Sequence, residues 1–313
     1  MNALNHSFCI FDDTRSLFMK IVFIVIIMFS SLALKSQSLV KYDDLTKVLE
    51  NIYTADQEPR LIIDSLIQKF GYNSTEVRRH FENIAKIDSA NIAIVSKIID
   101  QNGWLSATET SVKANEALFL VIQHADITTR LKYLPLLKIA VEQNKAKATN
   151  YAYLLDRTLM DQGKFQIYGS QLSGPQKGEL EFYPIGDEQN VNIRRKAIGL
   201  EPLENYAKGL TATNYTLPAQ DIYQNKFVII LLVFDTQNNP LSDALVYSGN
   251  NKLIGKTDKF GKLKLVLKKE YRNWALLIRK DGYTTSSYAL ESNNKDVFTM
   301  GFRLAKKEIE TSK

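Results

Sequence analysis

Residues 226–235 read Lys-Phe-Val-Ile-Ile-Leu-Leu-Val-Phe-Asp, and this run divides the chain in two. Phe227–Phe234 is a continuous apolar stretch of strand length, and from it onward the hydrophobic period is two. Further strands are expected at Ala244–Tyr247, Leu253–Lys256, Leu263–Leu267, Trp274–Arg279, Thr284–Leu290 and Val297–Leu304, separated by Asn, Gly, Asp and Pro turns. Seven short strands within about 80 residues predict a seven-stranded antiparallel β-sandwich of immunoglobulin-like type over 226–306, with 307–313 as a polar tail. No helix-length period intervenes, so a parallel α/β sheet is excluded.

Ahead of that run the period is helical. Helices are expected from Asp43 to Tyr53 and from Asp56 onward, the second with an apolar face of Leu61, Ile62, Leu66 and Phe70 that ends at Gly71. Ser74 can cap the next, and Asp88 a further one carrying Ile92, Val95 and Ile99 and closing at Gly103. Ala114–Ile122 is apolar nearly all round, the pattern of a buried central helix. Asp126 can cap a segment kinked or split near Pro135, and a last helix runs from Thr149 to Gln162 before Gly163. Phe165–Gln171 and Glu179–Ile185 then read as a small β-hairpin around a turn-rich stretch from Ser173 to Gly178, followed by helical pieces at Val191–Ile198 and Pro202–Lys208. The fold class is multidomain α + β. A mainly helical domain over 39–210 carries the small hairpin, residues 211–225 form a polar linker, and the sandwich follows.

Residues 1–38 read as a signal peptide whose true start is Met19. Lys20 leads an apolar run, Ile21–Leu34, of about 14 residues against the roughly 20 that a spanning helix needs, and Ser36-Gln37-Ser38 supplies small residues for cleavage. The expected product is exported, whether periplasmic, cell-surface or secreted, with no stable transmembrane anchor; an uncleaved N-terminal anchor is the alternative. The one cysteine, Cys9, precedes Met19, so the mature chain has no disulfide, thiolate metal site or cysteine nucleophile. The formal charge of +6 is spread along the chain without a basic run, which sets nucleic acid aside as a partner.

Two resemblances follow from these residues. Val233-Phe234-Asp235, Asn239-Pro240-Leu241, Ala244-Leu245-Val246, Thr257-Asp258-Lys259-Phe260-Gly261-Lys262 and Lys280-Asp281-Gly282-Tyr283 together resemble the carboxypeptidase regulatory-like domain, a transthyretin-like sandwich found on exported bacterial proteins. One departure is Asn239, where a turn glycine is common; asparagine tolerates the left-handed conformation. The resemblance implies a structural or adhesive accessory without catalysis. The helical part resembles a bacterial family known as domain of unknown function 6624. The residues that carry this are Asp56-Gln57-x-x-Arg60, Asp88-x-x-Asn91, Asn102-Gly103-Trp104, Gln123-His124-Ala125-Asp126, Tyr153-Leu154-Leu155-Asp156-Arg157, Gln166-x-Tyr168-Gly169-Ser170-Gln171, Arg194-Arg195 and Gly199-Leu200. Ser170 and Leu105 depart from the family's more usual threonine and proline. The resemblance implies a fold and a cluster of polar residues, and brings no established activity.

The polar residues define the candidate site. His124 ends the most apolar helix and is one of two histidines in the mature chain, with His80; it could act as general base, oriented by Asp126, Asp88 or Asp156. A capping or core histidine is the bland alternative. Asp56 and Arg60 share one helix face, and Arg157 can pair with Asp161 a turn on, while Asp156 points away. Gln166 and Tyr168 project to one face of an extended strand, beside Gly169. The catalytic candidates are therefore His124, Asp156 and Arg157; the ligand-binding candidates are Arg60, Asp88, Gln123, Gln166, Tyr168, Gln171 and Arg195. No phosphate loop, dinucleotide turn, nucleophile elbow or His-Glu-x-x-His pair occurs. No cofactor and no metal are expected, although a carboxylate-bound metal stays open. The leading expectation is an exported envelope protein whose helical domain binds a polar small molecule or envelope component, with the sandwich as spacer or docking module. A hydrolase using His124 as general base and a purely structural interaction protein are the alternatives. Oligomeric state is not legible.

Overall fold

In the computed structural model the change of period at residue 226 is a change of architecture. Residues 43–173, 181–211, 215–290 and 295–307 are described. The expected signal peptide, Cys9, the hairpin turn after Ser173 and most of the polar tail lie outside them. Among the described residues no helix is long and apolar enough to cross a membrane.

Six helices come first: α1 (residues 43–61), α2 (Ile63–Phe70), α3 (Thr75–Asn102), α4 (Val112–His124), α5 (Ile127–Glu142) and α6 (Ala148–Asp161). The central one is α4. Its Leu118, Val121 and Ile122 share a core with Leu49 and Ile52 of α1, Val95 and Ile99 of α3, Tyr133 and Leu137 of α5 and Leu154 of α6. A helix packed on several sides needs apolar residues all round, as Ala114–Ile122 has.

Three expected boundaries move. The first break falls at Ile62, not near residue 55, because Thr54-Ala55 holds no breaker and the Thr54 hydroxyl donates to Glu50 O inside the helix. Asp88 caps nothing. It lies mid-way along the 28-residue α3, whose N-cap is Ser74 accepting from Val77 N–H at 3.2 Å. Helix α5 runs unbroken through Pro135, which is exposed, so solvent can satisfy the carbonyl that loses its N–H partner. Asp126 caps α5 as expected, accepting from Thr129 N–H at 2.8 Å.

After α6 the strands are shorter than expected. Among the described residues only β1 (Leu172–Ser173) and β2 (Glu181–Phe182) pair there, and residues 165–171 are loop with a bridge from Gln166 to Ile185. Helices α7 (Val191–Ala197) and α8 (Leu203–Thr211) complete this half around Ile185, Val191 and Leu203.

Seven strands follow: β3 (Lys226–Asp235), β4 (Leu245–Ser248), β5 (Leu253–Lys256), β6 (Lys262–Lys268), β7 (Ala275–Arg279), β8 (Ser286–Ala289) and β9 (Val297–Leu304). They make two sheets, ordered β6-β3-β9 and β5-β4-β7-β8. The antiparallel expectation is corrected at one pair. β3 and β9 run parallel, from Val228 against Val297 to Asp235 against Leu304. Parallel neighbours need a long crossover, and here the whole four-stranded sheet and β6 lie between them in sequence. In the turn after β3 the left-handed residue is Asn238, not Asn239.

β3 explains its own composition. Phe227, Ile229, Leu231 and Val233 share one apolar cluster with Val246, Leu276 and Ile278 of the other sheet. Val228 and Ile230, on the opposite face, cluster with Tyr183, Tyr223, Met160 and Phe165. A strand covered on both faces loses its polar alternation. The junction is also hydrogen-bonded: Gly163 O, just past α6, accepts from Asp296 N–H at 2.7 Å and Val297 N–H at 2.8 Å. Lys262 of β6 pairs with Glu181 of β2 at 3.0 Å.

Candidate functional site

The C-terminal end of α4 delivers His124 to a cluster of charged side chains from α1 and α3. Its Nδ1 lies 3.0 Å from Asp56 Oδ1. Asp56 is 1% exposed, and its other oxygen accepts from Gln57 Nε2 at 2.6 Å. A carboxylate can only accept, so the histidine's Nδ1 carries the hydrogen, and in the neutral ring Nε2 is the acceptor. The imidazole side chain keeps 19% of its surface exposed, so solvent reaches the residue while its orienting carboxylate stays buried.

Arg60, one turn after Asp56, closes the cluster. Its Nη1 donates to Asp56 O at 2.7 Å and lies 3.5 Å from Asp56 Oδ1. Its Nη2 reaches both oxygens of Asp88 at 2.8 Å. Burial pushes the Asp56 carboxyl up, but the hydrogen bond and electrostatic pull of His124, the Gln57 amide and the Arg60 charge outweigh it. The group is held below the ordinary carboxylate value. Asp56, Asp88 and His124 each offer one metal-ligand atom within 4.8 Å of the others. The Arg60 guanidinium already supplies positive charge to both carboxylates, and a metal ion would compete with it.

On the neighbouring side, Gln123 Nε2 lies 3.5 Å from Tyr153 O, which sets the last turn of α4 against α6. Arg130, 3% exposed, donates to Ala125 O and pairs with Asp161 at the end of α6. Asp161 is thus taken by Arg130, contrary to the expected Arg157–Asp161 pair. Arg157 is half-buried and makes no hydrogen bond or ion pair with any described residue. Burial and the like charges of Arg130 and Arg60 lower its guanidinium, with Asp161 pulling the other way.

The remaining expected site residues belong elsewhere. Asp156, 0% exposed, faces the loop after α6 and accepts from Ile167 N–H at 2.7 Å, Tyr168 N–H at 3.1 Å and Ser170 N–H at 3.0 Å. Burial pushes its carboxyl up against the pull of these donors. It fastens the loop, with both of its oxygens taken up by backbone N–H groups. Gln166 Nε2 donates to Gln171 O at 3.0 Å and to Tyr183 O at 2.5 Å, and its oxygen accepts from Gln171 N–H at 2.9 Å. The Gln171 amide donates to the Ser170 hydroxyl at 3.0 Å. Arg195, 1% exposed, donates to Tyr168 O and Glu201 O, both at 2.7 Å. Gly169, at φ +70°, leaves room for Ile185 and Leu203, whose methyls a Cβ would meet at 2.9 Å. Of the polar face expected on residues 166–171, Gln166 and Gln171 are buried and bonded within the loop and to Tyr183 O, while the Tyr168 ring is half-buried.

The expected site therefore separates into two sets. His124, Arg60 and Asp88 come together around Asp56, with Gln123 next to His124 in sequence and Arg157 near enough to feel the charges of Arg60 and Arg130; Asp156, Gln166, Tyr168, Gln171 and Arg195 build a loop. Asp56 is the residue that reading by type passed over as histidine's partner. Its signal was the Asp-Gln-x-x-Arg spacing, which puts Asp56 and Arg60 on one face of α1.

These features define a class: a helical domain with a buried carboxylate orienting a histidine, packed on a two-sheet β unit. The family model that matches covers residues 43–219, more than half of the chain, and is described as a family of unknown function, DUF6624; the chain belongs to that family. No curated protein matches it. Among solved structures, the Bacillus anthracis TIE protein is similar at 21% identity, over 26% of this chain and 17% of that one, with a TM-score of 0.20. This chain thus spans less than a fifth of that protein's length. The 3-chlorocatechol 1,2-dioxygenase of Rhodococcus opacus 1CP is similar at 13% identity, over 72% of this chain and 100% of that one, also with a TM-score of 0.20. Neither likeness carries an argument about fold or function.

Proposed function

We propose that the helical domain binds a polar ligand and does acid–base chemistry on it through His124, in an exported protein whose β unit is a transthyretin-like sandwich acting as spacer or docking module. One observation carries the chemistry: a buried Asp56 carboxylate 3.0 Å from Nδ1 of a histidine that remains partly exposed. That arrangement selects one tautomer, keeps Nε2 available as a proton acceptor, and places a negative charge against the imidazolium that forms when the proton arrives. Export rests on the reading of residues 1–38, and the sandwich on the turn motifs and on the apolar cluster that the two sheets share.

Long-range proton–nitrogen correlation of the full chain at pH 8 tests the pair, with His124→Asn and His80→Asn variants assigning the signals. His124 is expected with hydrogen on Nδ1. His80 is the internal contrast, because its Nε2 lies 2.6 Å from Pro59 O and must donate there. A His124 signal with the hydrogen on Nε2 would end the proposal.

A second reading, a wholly structural network, is favoured by the Arg60 fork, which satisfies Asp88 and steadies Asp56 without any ligand. It requires His124→Asn to cost about 1–3 kcal/mol, the usual cost of breaking a hydrogen bond to a buried charge. Under the acid–base reading His124→Asn breaks the same hydrogen bond to Asp56 and costs a similar amount, so the two readings part on ligand turnover that depends on His124, not on stability.

A further inference from the structure

We infer that the corner between Arg157 and His124 is a seat for an oxyanion, a phosphate or carboxylate carried by the ligand, with the Arg157 guanidinium as its holder. The inference deepens the acid–base reading by naming the chemical class that the site takes.

Three observations carry it. The first is position. Gln123 is set against Tyr153 of α6, and Arg157 lies one turn beyond Tyr153 on the same helix face, so it flanks the end of α4 where His124 sits. The second is the distribution of partners. A guanidinium has five donors in a fixed fork, and leaving them unmet in a half-buried place is costly. Yet Arg157 has no hydrogen bond or ion pair with any described residue, although Asp161 stands at the helical spacing that would supply one. Asp161 is bound by Arg130, and the two oxygens of Asp88 are bound by Arg60. Asp161, the carboxylate at that spacing, is thus bonded to another arginine, as is Asp88 of the His124 cluster. The third is an unanswered donor in the same corner: Arg130 Nε, on a residue 3% exposed, has no partner. Buried donors without partners in a native fold call for an acceptor, and an oxyanion supplies several at once.

The division of labour follows. Arg157 would fix the anionic group of the ligand, while Nε2 of His124 faces the part of the ligand where a proton is taken or given. Arg60 keeps the Asp56 carboxylate oriented throughout.

The test is a thermal-shift titration of the full chain with inorganic phosphate and, separately, acetate, against chloride at matched ionic strength. The variants are Arg157→Gln, Arg157→Lys and His124→Asn. Phosphate or acetate is expected to raise the melting temperature of the wild type, on the order of 2–4 °C at concentrations well above the dissociation constant. The shift should vanish in Arg157→Gln, survive reduced in Arg157→Lys, and persist in His124→Asn. Without added oxyanion, Arg157→Gln should melt at or above the wild-type temperature, because it removes a half-buried charge that has no hydrogen-bond partner among the described residues. No response of the wild type to either anion beyond chloride would overturn the seat, as would an undiminished response in Arg157→Gln. The tautomer measurement stands apart from both outcomes: a bare Nε2 on His124 with no anion response would remove the seat and leave the acid–base pair.

Discussion

Asp56 joins the electrostatics of the site to the stability of the fold. Its carboxyl is held below the ordinary value, so the sign of its contribution is set: it is present above the unfolded carboxyl's pKa of about 4 and lost as pH falls through the lower folded value. Asp56→Asn should therefore be less stable than wild type at pH 7, by about 1–3 kcal/mol for a buried, charge-assisted network. The difference should shrink at pH 3, below the unfolded carboxyl's pKa of about 4. Denaturant unfolding at the two pH values measures both gaps; a gap that stays constant would show that Asp56 is not depressed in the folded state. The same residue marks the limit of reading a site by residue type. His124 was legible as a candidate because titratable groups at the end of an apolar helix are rare. Its partner was not, because Asp56 lies 68 residues away and only the packing of α1 against α4 brings them together.

At the scale of the element, α6 shows how one helix serves two purposes with adjacent residues. Successive side chains on a helix point about 100° apart. Asp156 therefore turns to the loop at 167–170, while Arg157 next to it leaves the helix in a different direction. Asp156→Asn tests the first direction. Both carboxylate oxygens accept backbone N–H groups, so an amide must set its own donor against one of them. The expected loss is about 2–4 kcal/mol, with hydrogen exchange at Tyr168 and Ser170 accelerated and His124 resonances unmoved. An Asp156→Asn protein as stable as the wild type would mean that the loop is held by something else. Helices were legible where their apolar faces recur, and α4 through its all-round burial. The loop was misread as a strand because Gln166 and Tyr168 have strand spacing. What shapes it is a long-range claim by Asp156 on its N–H groups, and no local period records that.

At the scale of the whole molecule, the run at 226–235 held more information than its strand length. An alternating strand would have one wet face; this one is apolar throughout because Val228 and Ile230 meet Tyr183, Tyr223 and Phe165 while Ile229 and Leu231 meet the second sheet. The polar composition of 211–225 reads only as a linker, whereas the continuity of the apolar run already contained the evidence of a covered outer face. Gly163 is where the contact can be tested. It has φ +68°, and a Cβ there would meet Val297 O at 2.7 Å and the Lys295 side chain at 2.9 Å, while its own carbonyl accepts from Asp296 and Val297. Gly163→Ala must relieve the overlap by moving the start of β9 away from the end of α6, in addition to about 1 kcal/mol for the left-handed backbone. Hydrogen exchange should then quicken at Asp296 and Val297 and stay unchanged in the middle of α4, whose core lies wholly among the helices. Uniform acceleration across α4 and β9 together would show instead that the two halves unfold as one cooperative unit. In that case the β unit contributes to the stability of the helical fold that carries His124, and removing it would weaken the site without touching any of its residues.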